Sequence, residues 1–287
     1  MSVLVLGTFD GVHIAHRQLI KEAKKTGKKV IVCAFSTPFS NAKVLSEKEE
    51  KEKILKSLGA DEVFIQEPKN VKELSAEDYI KGLVEKFNPK FVVAGFDHRF
   101  GKGAQGNLMT LTFLGKKYGF TLIAVPPVEY GGSLVSSSRI RALLQKGEIE
   151  EANLLLDRYY SLKGAVVKGK QIGTNLGFPT ANIECSENSL IPAPGVYATF
   201  VKLNDKLYKG MTSIGFNETV SENNSLTIET HILGFDGDIY GKELEILFLK
   251  KVRDAKKFES LDQLKKQLSD DALLINAYID TIKNKTR

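Results

Sequence analysis

Val3-Leu4-Val5-Leu6-Gly7-Thr8-Phe9-Asp10-Gly11-Val12-His13-Ile14-Ala15-His16 runs from four apolar residues through a two-glycine turn into a stretch carrying two histidines. An apolar run closed by such a turn reads as a buried strand handing over to a helix. Working outward, further apolar runs at 30–35, 63–66, 91–95 and 122–125 read as strands of the same kind as 3–6. Helical segments lie between them. Ser46 with Glu49 has the spacing of a capping box, and Ser75 with Asp78 that of its acidic variant. Gly27 and Gly59 fall where helix C-caps belong. Alternation of this kind predicts an α/β domain with a mainly parallel sheet covered by helices on both faces. Ligands of such domains bind beyond the carboxyl ends of the strands, so the loops after those strands are where chemistry is expected.

The texture changes after Asp157. From Tyr160 to about Lys251 the chain is rich in Gly, Pro and Asn, with short β-branched runs at 165–167, 196–203, 226–233 and 244–249. Turn signals such as Phe235-Asp236-Gly237-Asp238 separate them, which reads as a small antiparallel barrel or sandwich. Helical spacing returns over 260–283, with Leu261, Leu264 and Leu268 on one face and an interruption near 269–271. A chain of 287 residues is long enough for two cores. The division is placed at 157–161, giving domains 1–157 and 158–287; the halves do not resemble each other.

Charge and cysteine usage narrow the classes. The net charge of +6 suits polyphosphate substrates as well as nucleic acid. The lysines lie scattered along helical stretches, among them Lys48, Lys51, Lys53 and Lys56, and read as solvated faces. No basic run interleaved with aromatics suggests a nucleic-acid module. Cys33 and Cys185 are far apart and in no metal-like spacing, so both read as reduced, structural thiols. No window approaches the apolar length of a bilayer span, and the first apolar run is too short for a signal peptide. A cytoplasmic protein without membrane or nucleic-acid partners is expected.

The turn at 7–16 leads into a helix N-terminus, where free backbone N–H groups and the positive dipole end form a phosphate cradle. His13 and His16 are three apart, which puts both rings on one helical face beside that cradle. There they could stabilise charge building on an attacked phosphate. The alternatives are a metal-ligand pair or two packed histidines; His98 and His231 are the only others in the chain.

Gly7 to His16 resembles the HxGH signature of nucleotidylyltransferases in the form used by bacterial FMN adenylyltransferases. Ala15 stands where that family usually has glycine. Ala94-Gly95-Phe96-Asp97-His98-Arg99-Phe100-Gly101 with Gly106-Asn107 is similar to a second family stretch, His98 replacing an aromatic. Val135-Ser136-Ser137-Ser138-Arg139-Ile140-Arg141 resembles the ISSTxIR motif, a hydroxyl-capped helix start with a guanidinium one turn in. The resemblance implies a Rossmann-like domain in which Gly7, Thr8, Phe9, Asp10, Gly11, Ser137 and Ser138 bind ATP. It implies catalytic roles for His13, His16 and Arg141, and flavin contacts for Asp97 and Asn107. The segment 35–39 departs from the family's Pro-His-Pro-like sequence at a place where part of the flavin site is expected.

The second half carries Gly173-Thr174-Asn175-Leu176-Gly177-Phe178-Pro179-Thr180-Ala181-Asn182, which contains the PTAN motif of riboflavin kinases. A hydroxyl and an amide oxygen on a proline-fixed turn are hard donors of the type Mg²⁺ takes. The resemblance implies that Thr180 and Asn182 hold the metal beside the ATP phosphates, with Gly173 in a segment folding over the nucleotide. Alternation along 226–232 puts Ile228 and Ile232 on one face and Glu229 and His231 on the other. Glu229 matches the family's general base, with His231 a structural neighbour. Pro192 to Tyr197 matches a stretch read as structural, and Arg253 lies in a matching segment as a candidate flavin contact. The loop 216–220 departs from the family's Pro-Thr-Phe sequence. The implied chain is a mainly β barrel with a closing helix, fused to the α/β domain. It converts riboflavin to FMN and FMN to FAD with ATP and Mg²⁺.

Overall fold

The computed structural model describes residues 1–169, 172–204, 206–216 and 226–285. They form two compact units, Met1–Arg139 and Ile140–Arg287.

The first unit contains β1 (Ser2–Leu6), α1 (Ile14–Lys24), β2 (Lys29–Phe35), α2 (Lys48–Ser57), β3 (Glu62–Gln66), α3 (Pro68–Val71), α4 (Ala76–Phe87), β4 (Pro89–Gly95), α5 (Leu108–Tyr118) and β5 (Thr121–Val125). A small hairpin, β6 (Glu129–Tyr130) with β7 (Ser133–Leu134), follows. Helix α6 (Ser137–Lys146) begins in this unit and continues into the second. The sheet is parallel with order β3-β2-β1-β4-β5. All five strands coincide with apolar runs of the sequence; the inner three, β2, β1 and β4, are largely buried, and a parallel strand covered on both faces is apolar at nearly every position. Val3 and Val5 face Leu19, Ile20 and Leu55, from α1 and α2. Leu4 and Leu6 face Ile80, Leu83, Leu111 and Leu114, from α4 and α5. Strand order reverses between β1 and β4, so the ligand crevice of this topology opens at their carboxyl ends.

Ser75 caps α4 as its spacing predicts, accepting from the Asp78 amide at 3.0 Å. Ser46 does not cap α2. Glu47 is the N-cap, its side chain making no capping bond, and Ser46 Oγ instead accepts from the Gly11 amide at 3.2 Å. Lys51 is likewise no part of a solvated face: it is completely buried. The position is legible afterwards, since Lys51 lies one turn before Leu55 on the helix face that meets the sheet. Cys33 is buried, and burial pushes its thiol up to about 12.

The second unit holds the rest of α6, α7 (Ile149–Leu156), β8 (Tyr160–Val167), α8 (Ile172–Asn175), β9 (Ala181–Cys185), β10 (Gly195–Leu203), β11 (Lys206–Phe216), β12 (Leu226–Ile232), β13 (Glu243–Arg253) and α9 (Leu261–Lys285). Its strands close into an antiparallel barrel of order β10-β11-β12-β9-β8-β13, which decides between barrel and sandwich. Strands β9 and β11 carried no clear apolar run. In β11, Gly210 is needed where the backbone passes Thr199: a Cβ there would meet its Oγ1 at 2.6 Å. The buried hydroxyls of Thr199, Thr212 and Thr230 link three strands at 2.9 and 3.0 Å.

Helix α9 runs unbroken through 269–271. Its buried stripe passes through Asp271, Ile275 and Ile279, while Leu261 is 62% exposed and lies off it. Ile275 and Ile279 pack on Val196, Ala198 and Phe200 of β10 and on Met211 of β11. Asp271 tolerates that burial because Arg253 meets it, Nε and Nη2 donating to Oδ2 at 2.9 and 2.8 Å.

Candidate active sites

In the first unit the chain leaves β1 through a tightly held turn. Phe9 and Val12 have φ of +53° and +41°, conformations that cost non-glycine residues about 1–3 kcal/mol each unless their surroundings impose them. Here those surroundings are complete burial of both side chains. Three polar ties hold the turn: the Leu45 amide donates to Asp10 Oδ1 at 2.9 Å, the Gly11 amide to Ser46, and Ser137 Oγ to the Asp10 carbonyl at 2.8 Å.

His13 is the N-cap of α1, with extended backbone, and His16 lies in its first turn. Their rings stack, centroids 3.7 Å apart and planes at 19°. Phe9 backs His16 at 4.8 Å. Burial, then the neighbouring His13 and Lys51, hold the His16 pKa well below its ordinary value, so this ring is neutral at neutral pH. The His16 ring supplies an N–H donor without a preformed charge. Among the described residues no group of three or more His, Cys, Asp or Glu stands together as a metal site.

A cleft of about 310 Å³ opens here, at the carboxyl ends of β1, β2, β4 and β5. Gly7, Thr8, His13, Ala15, His16, Asp97, Ser137 and Ser138 line it, as do Phe35, Phe39, Phe96 and His98. Phe9, Asp10 and Gly11 are not in its lining; Phe9 packs behind His16, and Asp10 and Gly11 hold the turn through the bonds above. Asn107 lies elsewhere as the N-cap of α5, its Oδ1 accepting from the Thr110 amide at 3.0 Å. Arg141 falls in the second unit, on α6. The hydroxyl cap of α6 is Ser136, which accepts from the Arg139 amide at 3.2 Å. Arg139 Nη1 donates to the Tyr130 and Ser133 carbonyls, both at 2.9 Å, and so holds the β6–β7 hairpin. His98 stacks on Phe100, and burial with the nearby Arg99 lowers its pKa to about 4. It therefore behaves as the neutral ring it replaces.

In the second unit, β9 and β12 pair antiparallel with Asn182 directly opposite Glu229. Residues opposed in this way project to the same face of the sheet. Along β12 the residues 228, 230 and 232 are buried and 229 and 231 are not, as the alternation predicts. Thr180 Oγ1 lies 3.4 Å from Glu229 Oε2, so Thr180, Asn182 and Glu229 converge. His231 Nδ1 meets the Pro179 carbonyl at 2.8 Å, which requires the proton on Nδ1 and pins the turn carrying Thr180. Gly169 was not singled out by the sequence, yet a Cβ there would lie 1.9 Å from Asn182 Nδ2, so a larger residue would push this amide from its place. Gly173 similarly faces the Phe178 carbonyl, 2.3 Å from where a Cβ would stand. A cleft of about 220 Å³ adjoins, lined by Thr174, Pro179, Thr180, Thr230, Asp236 and Tyr240 among others. Arg253 is tied to Asp271 on α9. Of the loop 216–220, residues 217–220 lie outside the described residues.

Residues 1–139 match the family model described as FAD synthetase, and residues 156–279 the one described as riboflavin kinase. A bifunctional riboflavin kinase/FMN adenylyltransferase of Listeria monocytogenes is 36% identical, covering 94% of this chain and 90% of its own length. The protein of that name from Escherichia coli is 32% identical, covering 98% and 94%. A crystal structure titled macrolide-efflux protein, from Streptococcus pneumoniae, superposes with a TM-score of 0.86 at 32% identity, covering 96% of this chain and 93% of that one. No helix among the described residues is long and apolar enough to cross a membrane.

Proposed function

Because the chain belongs to the bifunctional riboflavin kinase/FMN adenylyltransferase family, we propose that each of its two clefts carries one of the two reactions. The chain phosphorylates riboflavin with ATP to give FMN, and adenylylates FMN with ATP to give FAD and pyrophosphate. Residues 158–287 serve the first step and residues 1–157 the second.

The observation that carries this reading is the convergence of Thr180, Asn182 and Glu229 on one face of the β9–β12 pair. Glu229 accepts the proton of the riboflavin 5′-hydroxyl as its oxygen attacks the γ-phosphorus; the bond to the bridging oxygen breaks and ADP leaves. Thr180 and Asn182 supply hard neutral oxygens, a donor set that fits Mg²⁺. Bound there, the ion would neutralise phosphate charge. Gly173 and its segment lie against the nucleotide, and Arg253 reaches the flavin from the barrel end.

In the other cleft the attacking group is the FMN phosphate, already ionised, so no general base is needed. What remains is positioning and charge stabilisation. An FMN phosphate oxygen attacks the α-phosphorus of ATP as the bond to pyrophosphate breaks. His13 and His16 donate to oxygens of the transferring group, and Arg141 adds a fixed positive charge. The turn Gly7, Thr8, Phe9, Asp10, Gly11 and the hydroxyls of Ser137 and Ser138 hold ATP; Asp97 and Asn107 serve the flavin side. Neither Cys33 nor Cys185 is in a disulfide, which suits cytoplasmic action, and the basic charge serves polyphosphates rather than nucleic acid.

Glu229→Gln abolishes FMN formation and leaves FAD formation from supplied FMN; His16→Ala does the reverse. Chromatographic separation of the flavins over time reads both. Equal loss of both activities in either folded variant would sink the assignment of one reaction to each cleft.

A further inference from the structure

The acceptor side of the first cleft is walled by aromatic rings on the segment that leaves β2. Phe35 and Phe39 meet edge to face, centroids 4.7 Å apart. Phe39 is 56% exposed, so its place in the wall depends on the backbone that carries it, not on burial of its own ring. That backbone leaves the strand through the Phe35 and Ser36 carbonyls, and one side chain holds both. Lys51 Nζ donates to the Phe35 carbonyl at 2.5 Å and lies 3.4 Å from that of Ser36.

A fully buried ammonium is costly unless its hydrogens are used. An apolar chain of similar length would fill the space without that cost, so packing alone does not call for lysine. The carbonyls do. Six residues upstream, the same segment grips the nucleotide turn through the Leu45 amide and Ser46 Oγ. Residues 45–51 therefore tie the phosphate-side turn and the aromatic wall to one rigid piece of chain. The Lys51 charge also helps keep His16 neutral.

We propose that Lys51 is a positioning residue for the adenylyl acceptor: by holding the Phe35 and Ser36 carbonyls it fixes where Phe39 stands, and through Phe39 the affinity for the flavin ring. It touches no reacting atom. The inference rests on the reading of this cleft as the FMN site.

The test compares full-length wild type, Lys51→Met, Lys51→Arg and Phe39→Ala in FAD formation, with FMN and ATP each varied. Loss of one positioned aromatic contact raises KM for FMN about tenfold. Lys51→Met and Phe39→Ala both show that rise, with kcat and KM for ATP little changed, and Lys51→Arg restores most of it. If Phe39→Ala shows the FMN-selective rise but Lys51→Met is silent, or acts on kcat or on ATP alone, the role of Lys51 is overturned and the FMN reading stands. An unchanged KM for FMN in Phe39→Ala overturns the reading of the cleft and the proposal with it. Should Lys51→Met fail to fold, Lys51→Gln, which keeps an N–H₂ donor, takes its place. An intermediate KM for FMN is then expected, and a wild-type value overturns the proposal.

Discussion

At the scale of single residues, the first cleft depends on histidines whose surroundings suppress charge. His98 is the clearest case. Its folded pKa of about 4 lies below the 6.5 of a free imidazole, so the folded state refuses a proton that the unfolded chain accepts. The stabilisation is complete above about 6.5 and is lost as pH falls toward 4. Its limit is roughly 3 kcal/mol. Urea unfolding at pH 7 and pH 5 should show the wild type losing stability on acidification and His98→Phe losing less. An equal loss in both would mean that His98 titrates as an exposed ring. His231 works differently: its bond to the Pro179 carbonyl needs only a protonated Nδ1, so His231→Phe is expected to lower kinase kcat through a loosened Thr180 turn. FAD formation from supplied FMN, measured alongside, should not change.

At the scale of elements, legibility followed burial pattern. The inner parallel strands β1, β2 and β4 were readable because burial on two faces makes them continuously apolar, the edge strands β3 and β5 by their short apolar runs, and β12 because burial on one face makes it alternate. β11 was hidden by Gly210, whose place depends on a neighbouring strand that no local window contains. The histidine turn was legible as chemistry because two histidines at helical spacing beside a helix start are unusual for a turn. Thr180 and Asn182, in a stretch of ordinary turn residues, were legible only through the resemblance to riboflavin kinases. Ser46, Lys51 and Gly169 were not, since their roles depend on segments 35, 16 and 13 residues away. Asp271 misled in the opposite sense: an acidic residue near Ser269 looks like a helix break until Arg253 is known to face it. This pair makes a testable element. Asp271→Leu alone leaves the arginine without its carboxylate and should destabilise the second unit by about 3 kcal/mol. Arg253→Met with Asp271→Leu should recover most of the loss, read as the midpoint of thermal unfolding. If Arg253 also reaches the flavin, the double variant regains stability while keeping a raised KM for riboflavin; a normal KM would confine Arg253 to holding α9.

At the scale of the whole molecule, each cleft is lined by residues of one unit alone: Leu6 to Ser138 for the first and Val166 to Tyr240 for the second. Each unit also has its own core. Among the described residues, the constellations argued above lie within one unit each, save for Arg141, which follows the boundary on α6. FMN made at one site can therefore reach the other through solution, and a different molecule can serve as the second site. Mixing Glu229→Gln with His16→Ala should then restore conversion of riboflavin to FAD, which neither variant performs alone. Free FMN should accumulate first, and the lag before FAD should shorten as total protein is raised, because transfer between molecules depends on concentration. A mixture that makes FMN but no FAD, while the Glu229→Gln protein still adenylylates added FMN, would show that FMN passes only within one chain. In that event the two units cooperate in a way that neither cleft reveals by itself.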